Sequence, residues 1–367
     1  DSLVLHLPVR RRSGRNGGMP ELEARWLTSS GRVSTSAEVP RDYRRIFERM
    51  QTFERDRRRH AAEAPVDWPQ DPTERSLHSV DAMAVHYQRL MTLAMRAIHV
   101  LAVLMGLAFL LYSDLGAPDS MLWVFLLFFA VGLLIAVAAH RRDWHRKYID
   151  YRALAEGLRV QSFWRRAGLS MTGDPEFAHD NFMQKQDVEL GWIRNVMRQV
   201  GLMPLPPVDD PAQAVDRVVE AWVGRPGQSG QLAYYERKAA LCERHHLRTQ
   251  GLGKACLWAG IGISLFLALF HGVIAGGIRN VLVTSMGALS LIAAVREAYA
   301  YRKADKELVK QYRFMHRIYR NARIALDGAG SIQERREILR ALGEAALAEH
   351  AEWALMHRDR PIEHGRP

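Results

Sequence analysis

Four stretches of this chain, residues 97–112, 121–139, 255–275 and 281–295, contain no Asp, Glu, Lys or Arg, and each is flanked by polar, mostly basic sequence. At 1.5 Å of helical rise per residue, 121–139 reaches about 28 Å, close to the roughly 30 Å of a bilayer's hydrocarbon layer. The run 281–295 reaches only about 22 Å and needs its flanks, or local thinning of the bilayer, to cross. Buried core helices of a soluble bundle are the competing reading. Clean apolar runs with basic ends follow the bilayer pattern better. The negative mean hydropathy of the whole chain hides this clustering.

The runs come in pairs. SDLGAPDS joins the first two and HGVIAGGIRN the last two, and both are too short for anything but a tight turn between antiparallel helices. HRRDWHRK follows the second run, RHHLRTQGLGK precedes the third and REAYAYRKADK follows the fourth, whereas the first turn carries two Asp and no cation. Basic flanks stay on the cytoplasmic side, so both termini are expected there, in the cell's inner (cytoplasmic) membrane, with Arg279 in the second turn a minor exception. The formal net charge of +11 is then explained by juxtamembrane residues facing anionic lipid; nucleic acid is not needed as a partner. The two cysteines, Cys242 and Cys256, make no secreted disulfide framework and fit a reducing compartment. The chain opens on Asp1 without a signal peptide's charged start and cleavage site, and is expected to be the end of a longer polypeptide.

The predicted fold is an all-α membrane protein, four transmembrane helices in two hairpins with long cytoplasmic helical extensions. Residues 1–72 form a linker with a possible short strand in DSLVLHLPV and a polar helix in DYRRIFERMQTFERDRRRHAA; 73–170 hold the first hairpin; 171–230 are a helical region; 231–328 hold the second hairpin; 329–367 are an amphipathic helix and tail. The helix leaving the second span is expected to run unbroken to Gly168. In DNFMQKQDVELGWIRNVMRQV, Trp192, Ile193, Val196, Met197 and Val200 make an apolar stripe at helical spacing. Each hairpin is entered from a Tyr-bearing polar helix and left by a basic aromatic one, the pattern of an internally duplicated two-span unit.

In DYRALAEGLRVQSFW, Arg152, Glu156 and Arg159 fall at spacings of four and three, so the carboxylate can sit between two guanidinium groups. Tyr151, Leu154, Leu158 and Gln161 share another face, and Phe163 and Trp164 end the segment. The expected role of the charged set is interhelical pairing, with no catalytic part for Glu156.

Together, YRALAEGLRVQSFWRRAGL, QDVELGWIRNVMRQVGL, AWVGRPGQSGQLAYYERKA and LGEAALAEHAEWALMHRDRP resemble the bacterial SLATT superfamily, two-transmembrane effector modules associated with nucleotide-synthesising and nucleotide-sensing proteins. They are most similar to long, tandem-hairpin members whose N-terminal part is a SLOG-type nucleotide-binding domain. The resemblance covers about 73–363 and rests on Tyr151, Arg152, Glu156, Arg159, Trp164, Trp192, Arg194, Trp222, Tyr235, Trp353 and Arg358. It implies a membrane effector of bacterial defence or stress response that forms pores or disturbs the membrane when a nucleotide signal arrives through a domain outside this sequence. No nucleotide-binding residue is assigned, and no cofactor is implied.

The third run offers small residues four apart: Ala255 and Ala259, Gly260 and Ser264, Gly272 and Gly276. The fourth offers Thr284, Ser285, Gly287, Ala288, Ser290, Ala293 and Ala294. Ser264, Thr284, Ser285, Gly287, Ser290 and Ala294 are the candidates for a pore lining or an inner packed layer, and the Leu- and Phe-rich first pair is expected to face lipid. With no ionisable group at depth, a proton-coupled transporter is disfavoured. One four-span chain is too small to enclose a wide channel, so conduction requires a homo-oligomer.

CERHH brings Cys242 near His245 and His246, but zinc would need a further ligand pair that is not evident. His99 and His271 lie near run ends, and Tyr112, Trp123, Trp144 and Trp258 are placed as interfacial belt residues. No P-loop, dinucleotide fingerprint, HExxH or GxSxG occurs. The function expected is an oligomeric pore or ion channel gated by a cytoplasmic nucleotide-sensing domain, not an enzyme; the alternative is a non-conducting membrane anchor that clusters such a domain.

Overall fold

A computed structural model describes residues 4–6, 25–27, 33–34, 41–60, 71–169, 190–203, 210–270 and 272–358. Three short strands, β1 (Val4–His6), β2 (Arg25–Leu27) and β3 (Val33–Ser34), pair antiparallel in chain order, with Leu5 opposite Trp26 and Leu27 opposite Val33. β1 falls within DSLVLHLPV. The remaining described elements are helical. His271 and most of the predicted block before Gly191 lie outside the described residues.

The first hairpin is α2 (Pro72–Leu115) and α3 (Ser120–Arg141). Asp71 caps α2 by accepting from the Thr73 amide at 2.8 Å, with Pro72 in the first turn, where its missing N–H costs nothing. Gly116, at φ 60°, ends the helix, and the Ala117 amide reaches back to the Leu111 carbonyl. The second hairpin is α7 (Gly230–Phe270) and α8 (Gly276–Lys303). These are four helices long and apolar enough to cross a bilayer. At 44 and 41 residues, α2 and α7 are more than twice the length a span needs, and their N-terminal halves extend into the helical body.

Side by side, the spanning helices form a row in the order α3, α2, α8, α7. The seam between hairpins is made by α2 and α8, where Leu291 lies on Gly106 and Leu110 on Gly287. This revises the expected layering: the inner pair takes one helix from each hairpin, and the outer spans bury almost nothing within the chain, Ala139 alone in α3 and Cys256 alone in residues 255–270 of α7. Trp123 on α3 and Trp258 on α7 are 74% and 69% exposed.

The helix after the second span is broken, where the sequence led us to expect continuity. Asp143 adopts φ 55° and separates α3 from α4 (Trp144–Arg166), its carboxylate accepting from Arg146 at 2.6 Å. The same break recurs in the second half, where Ala304 at φ 54° separates α8 from α9 (Asp305–Gly328). Neither site holds glycine or proline, which is why the sequence hides them. Beyond each break a Tyr-Arg pair follows at the same distance, Tyr151-Arg152 and Tyr312-Arg313. Each arginine then pairs with the first helix of its own hairpin, Arg152 with Asp81 at 3.0 Å and Arg313 with Glu243 at 2.7 Å.

The body is built round α4, which is buried on nearly all sides. Against it pack α2, α5 (Gly191–Gly201), α6 (Pro211–Val218) and α10 (Ile332–Arg358); α1 (Arg41–His60) lies on α2 and α5. The predicted stripe of α5, Trp192, Ile193, Val196, Met197 and Val200, is buried throughout. Its C-terminal carbonyls are satisfied from α4: Gln161 donates to Met197 O at 3.0 Å, and Arg165 donates to Val200 O at 2.8 Å and to Met203 O. A π-helical turn, Val219–Val223, extends α6 and ends at Gly224, φ 75°, where a Cβ would meet the backbone of Ser229. It carries Trp222 fully into the core, stacked on Phe163 at 5.2 Å. α10 is capped by side chains at its start: Ser331 Oγ accepts from the Glu334 amide at 3.1 Å and Glu334 from the Gly330 amide at 3.0 Å. Because α10 touches both α4 and α9, it joins the extensions of the two hairpins.

Candidate functional site

The residues that carried the resemblance hold the body together. Tyr151 donates to Asp56 of α1 at 2.7 Å, where Tyr87 of α2 also donates at 3.0 Å and Lys147 pairs at 2.7 Å. Burial alone would raise the Asp56 pKa, but the bonds from Lys147 and Tyr151 outweigh it and hold the carboxyl below its usual range. Trp192 sits between Phe53 and Tyr151, with ring centroids at 5.3 and 6.2 Å, and Arg194 is buried on the same helix. Trp164 donates to Leu339 O at 3.0 Å and occupies the space a side chain at Gly343 would take. Arg358 pairs with Asp150 at 3.2 Å, fastening the end of α10 to α4.

The expected triad is arranged differently from the spacing argument. Glu156 pairs with Arg159, while Arg152 turns to Asp81 of α2, which Arg159 also approaches at 3.4 Å. The reason is tertiary: α2 supplies a second carboxylate that the local sequence does not contain.

These groups face an open-sided cavity of about 560 Å³ lined by α2, α4, α7, α9 and α10, with the end of α8 at its edge. From α4 come Tyr148, Arg152, Glu156 and Arg159, four positions on one helical face; from α2, Asp81, Gln88 and Met95. Tyr234, Tyr235 and Lys238 enter from α7, Tyr312 from α9, and Glu349, His350 and Trp353 from α10; Arg302 and Lys303 stand where the fourth span ends. Trp353 lies edge-on to Tyr148 at 5.9 Å and stacks on His350 at 4.9 Å. Tyr235 lies 5.4 Å from Tyr319 and 6.0 Å from Tyr312, so aromatic rings line one wall.

Burial governs the charges. It opposes ionisation of Glu156, yet Arg159 and Arg152 prevail and keep this carboxylate charged. Glu349 has no such partner; burial and the neighbouring Glu156 push it up to about 8, so it is mostly neutral at pH 7. Burial pushes His350 down to about 3, leaving a neutral ring whose Nε2 is buried without a hydrogen-bond partner. Burial likewise raises Tyr234, Tyr235 and Tyr312, and Tyr148 up to about 12, so all keep their hydroxyl protons. The lining thus sets Arg152, Arg159, Lys238, Arg302 and Lys303 against the acidic side chains of Asp81, Glu156 and Glu349.

A second cavity, about 600 Å³, lies at the foot of the spans between α2, α7 and α8, walled by Val100, Val103, Leu104, Leu252, Ile292 and Val295, with Arg96 and Arg296 at its margin. His245 of the CERHH segment faces it, and Cys256 is buried. His99 bonds the Met95 carbonyl at 2.7 Å and meets Tyr299 edge-on at 5.2 Å. Among the described residues no three side chains of metal-binding type converge.

In the spans, Thr284 is buried and Gly287 receives Leu110. Ser264 bonds its own helix at Gly260 O, 2.9 Å, and contacts Met286 Sδ at 3.0 Å. The hydroxyls of Thr284, Ser285 and Ser290 each bond the carbonyl four residues earlier, at 2.8, 2.8 and 3.0 Å. Ser264, Ser290 and Ala294 are exposed in the single chain.

Fold and surface together define the class: a multi-pass helical membrane protein whose two hairpins stand on one shared helical body. No protein-family model, curated protein or solved structure matches the chain. Sequence reasoning missed the cavity, because its walls come from five helices of both halves. Of the tyrosines at the entrances to the hairpins, Tyr234 and Tyr235 of YYERK line the cavity, whereas Tyr87 of HYQRL faces Asp56 of α1.

Proposed function

We propose that this chain is the membrane part of an oligomeric effector of the bacterial cytoplasmic membrane, with both termini in the cytoplasm, conducting ions or small solutes when a cytoplasmic nucleotide-sensing domain outside this sequence signals through the helical body. The observation that carries the reading is the single-file row of spans. A row encloses no lumen, and both its end helices, α3 and α7, leave their large apolar side chains uncovered within one chain. Repetition of such a unit around an axis closes a ring if the rotation between copies permits. The exposed small and hydroxyl residues Ser264, Ser290 and Ala294 suit close helix contact or a hydrated path in that ring. The shared body supports coupling, since α10 contacts the extensions of both hairpins.

The test is reconstitution of the purified chain in liposomes, with flux followed by a potential-sensitive dye, beside single-channel recording in planar bilayers. Conductance that changes on Ser285→Leu or Ser290→Leu supports a path along α8. A cross-linked oligomer that passes no ions in any condition leaves the anchoring role in its place.

A further inference from the structure

We infer that the cavity between α2, α4, α7, α9 and α10 is a binding site for a phosphate-bearing small molecule, carried by this chain itself and independent of any sensor domain outside it.

The cavity walls offer far more donors than acceptors. Arg152, Arg159 and Lys238 contribute charged N–H groups, and Tyr148, Tyr234 and Tyr312 contribute hydroxyls that keep their protons. The carboxylates of Asp81 and Glu156 are already engaged by the two arginines. A donor-rich, cation-rich cleft selects an oxyanion, and several converging cations favour a multiply charged phosphate over a single carboxylate. The arginines are held by their acids at 3.0 and 3.4 Å from Asp81, so their forks are oriented before a ligand arrives.

His350 is an independent sign. Its ring is 7% exposed, stacked on Trp353, and its Nε2 has no partner although it borders this polar space. Buried polar atoms are seldom left unpaired, and a ligand oxygen or ring nitrogen would satisfy it. Tyr234, Tyr312 and Trp353 supply faces for the organic part, and about 560 Å³ is ample for a mononucleotide-sized compound. The site also spans both halves of the chain, with Lys303 directly before the Ala304 break, so an occupant would bridge the extensions of the two hairpins.

The phosphate could belong to a soluble ester or to a lipid headgroup, because the cavity reaches Met95 and Lys303 at the foot of the spans. Calorimetric titration of the full chain in detergent with adenosine 5′-monophosphate and with inorganic pyrophosphate tests the first source. Thermal unfolding in phosphatidylcholine nanodiscs with and without phosphatidic acid tests the second. Saturable binding of a soluble probe, weakened at least about tenfold by Arg152→Gln and by Lys238→Gln but not by Arg313→Gln outside the cavity, is the expected result. A rise in unfolding temperature only with phosphatidic acid, abolished by Lys238→Gln, supports the same site with a lipid donor. Among the described residues Lys238 makes no ion pair and only lies over the Tyr234 ring at 5.6 Å, so this variant remains informative if Arg152→Gln misfolds. Neither response in the wild-type chain, or equal binding by folded Lys238→Gln, overturns the inference. No flux measurement enters, so the outcome is independent of whether the protein conducts.

Discussion

Leu291 on α8 occupies the space that a Cβ on Gly106 of α2 would need, and four residues along, Leu110 fills the corresponding space over Gly287, 3.0 Å from the position of its absent Cβ. The two hairpins therefore lock by a reciprocal pair of leucines lying on glycines. Without hydrophobic driving force inside the bilayer, this close approach is what association between helices depends on.

Gly106→Val should force the seam apart. Overpacking of this kind costs about 1–3 kcal/mol, and the unfolding temperature in detergent should fall accordingly. Gly132 on α3 is the control: a Cβ there would lie 3.9 Å from Leu101, an ordinary contact, so Gly132→Ala should not lower the melt and, as a mid-helix Gly→Ala change, should raise it slightly.

Asp56 gathers Tyr87, Tyr151 and Lys147 at the junction of α1, α2 and α4. Asp56→Asn leaves the half-buried Lys147 cation without its carboxylate, a loss of up to about 3 kcal/mol. The pH dependence has a definite sign: because the folded pKa lies below the ordinary 3.8, this stabilisation is present above that value and is lost as pH falls further. Tryptophan emission should follow the release of α1, since Phe53 packs on Trp192.

Glu349 shifts the other way. Its folded pKa of about 8 exceeds the ordinary 4.5, so its protonated form favours the fold, and that contribution declines as pH rises from about 4.5 and is gone above 8. Glu349→Gln should therefore raise the melting temperature relative to wild type at alkaline pH and change it little in mild acid. Equal alkaline sensitivity in the two proteins would show that the carboxyl ionises freely.

Ala304 holds φ 54° with its side chain buried and its amide bonded to Tyr301 O at 3.1 Å. A left-handed conformation costs a residue with a Cβ about 1–2 kcal/mol, so Ala304→Gly should stabilise the chain by up to about 1 kcal/mol, read as a higher unfolding midpoint. Ala304→Val should destabilise it. α8, which Ala304 terminates, packs directly on α2, so either change can reach the first hairpin through that seam as well as through α10.

Much of the architecture was legible along the chain. The charge-free runs and their tight turns place α2, α3, α7 and α8, and the period of Trp192, Ile193, Val196, Met197 and Val200 marks the buried face of α5. Both signals are local: they depend on length, on the exclusion of charge and on helical period. The break at Asp143 was not legible, because it is imposed by how α4 must turn to pack on α2, and a residue with a tolerated left-handed conformation leaves no glycine as a mark.

The sequence alone determined that four apolar helices return on themselves in two pairs and that a polar helical mass adjoins them, since solvent preference and helix period act residue by residue. Only the tertiary structure decided which helices meet. It placed α2 beside α8, turned Arg152 from Glu156 to Asp81, and brought Lys238, Tyr312 and His350 from distant helices onto one cavity. The physical reason is that these arrangements depend on shape and charge between segments well separated in the chain, 71 residues in the case of Asp81 and Arg152, where no local pattern records the partner.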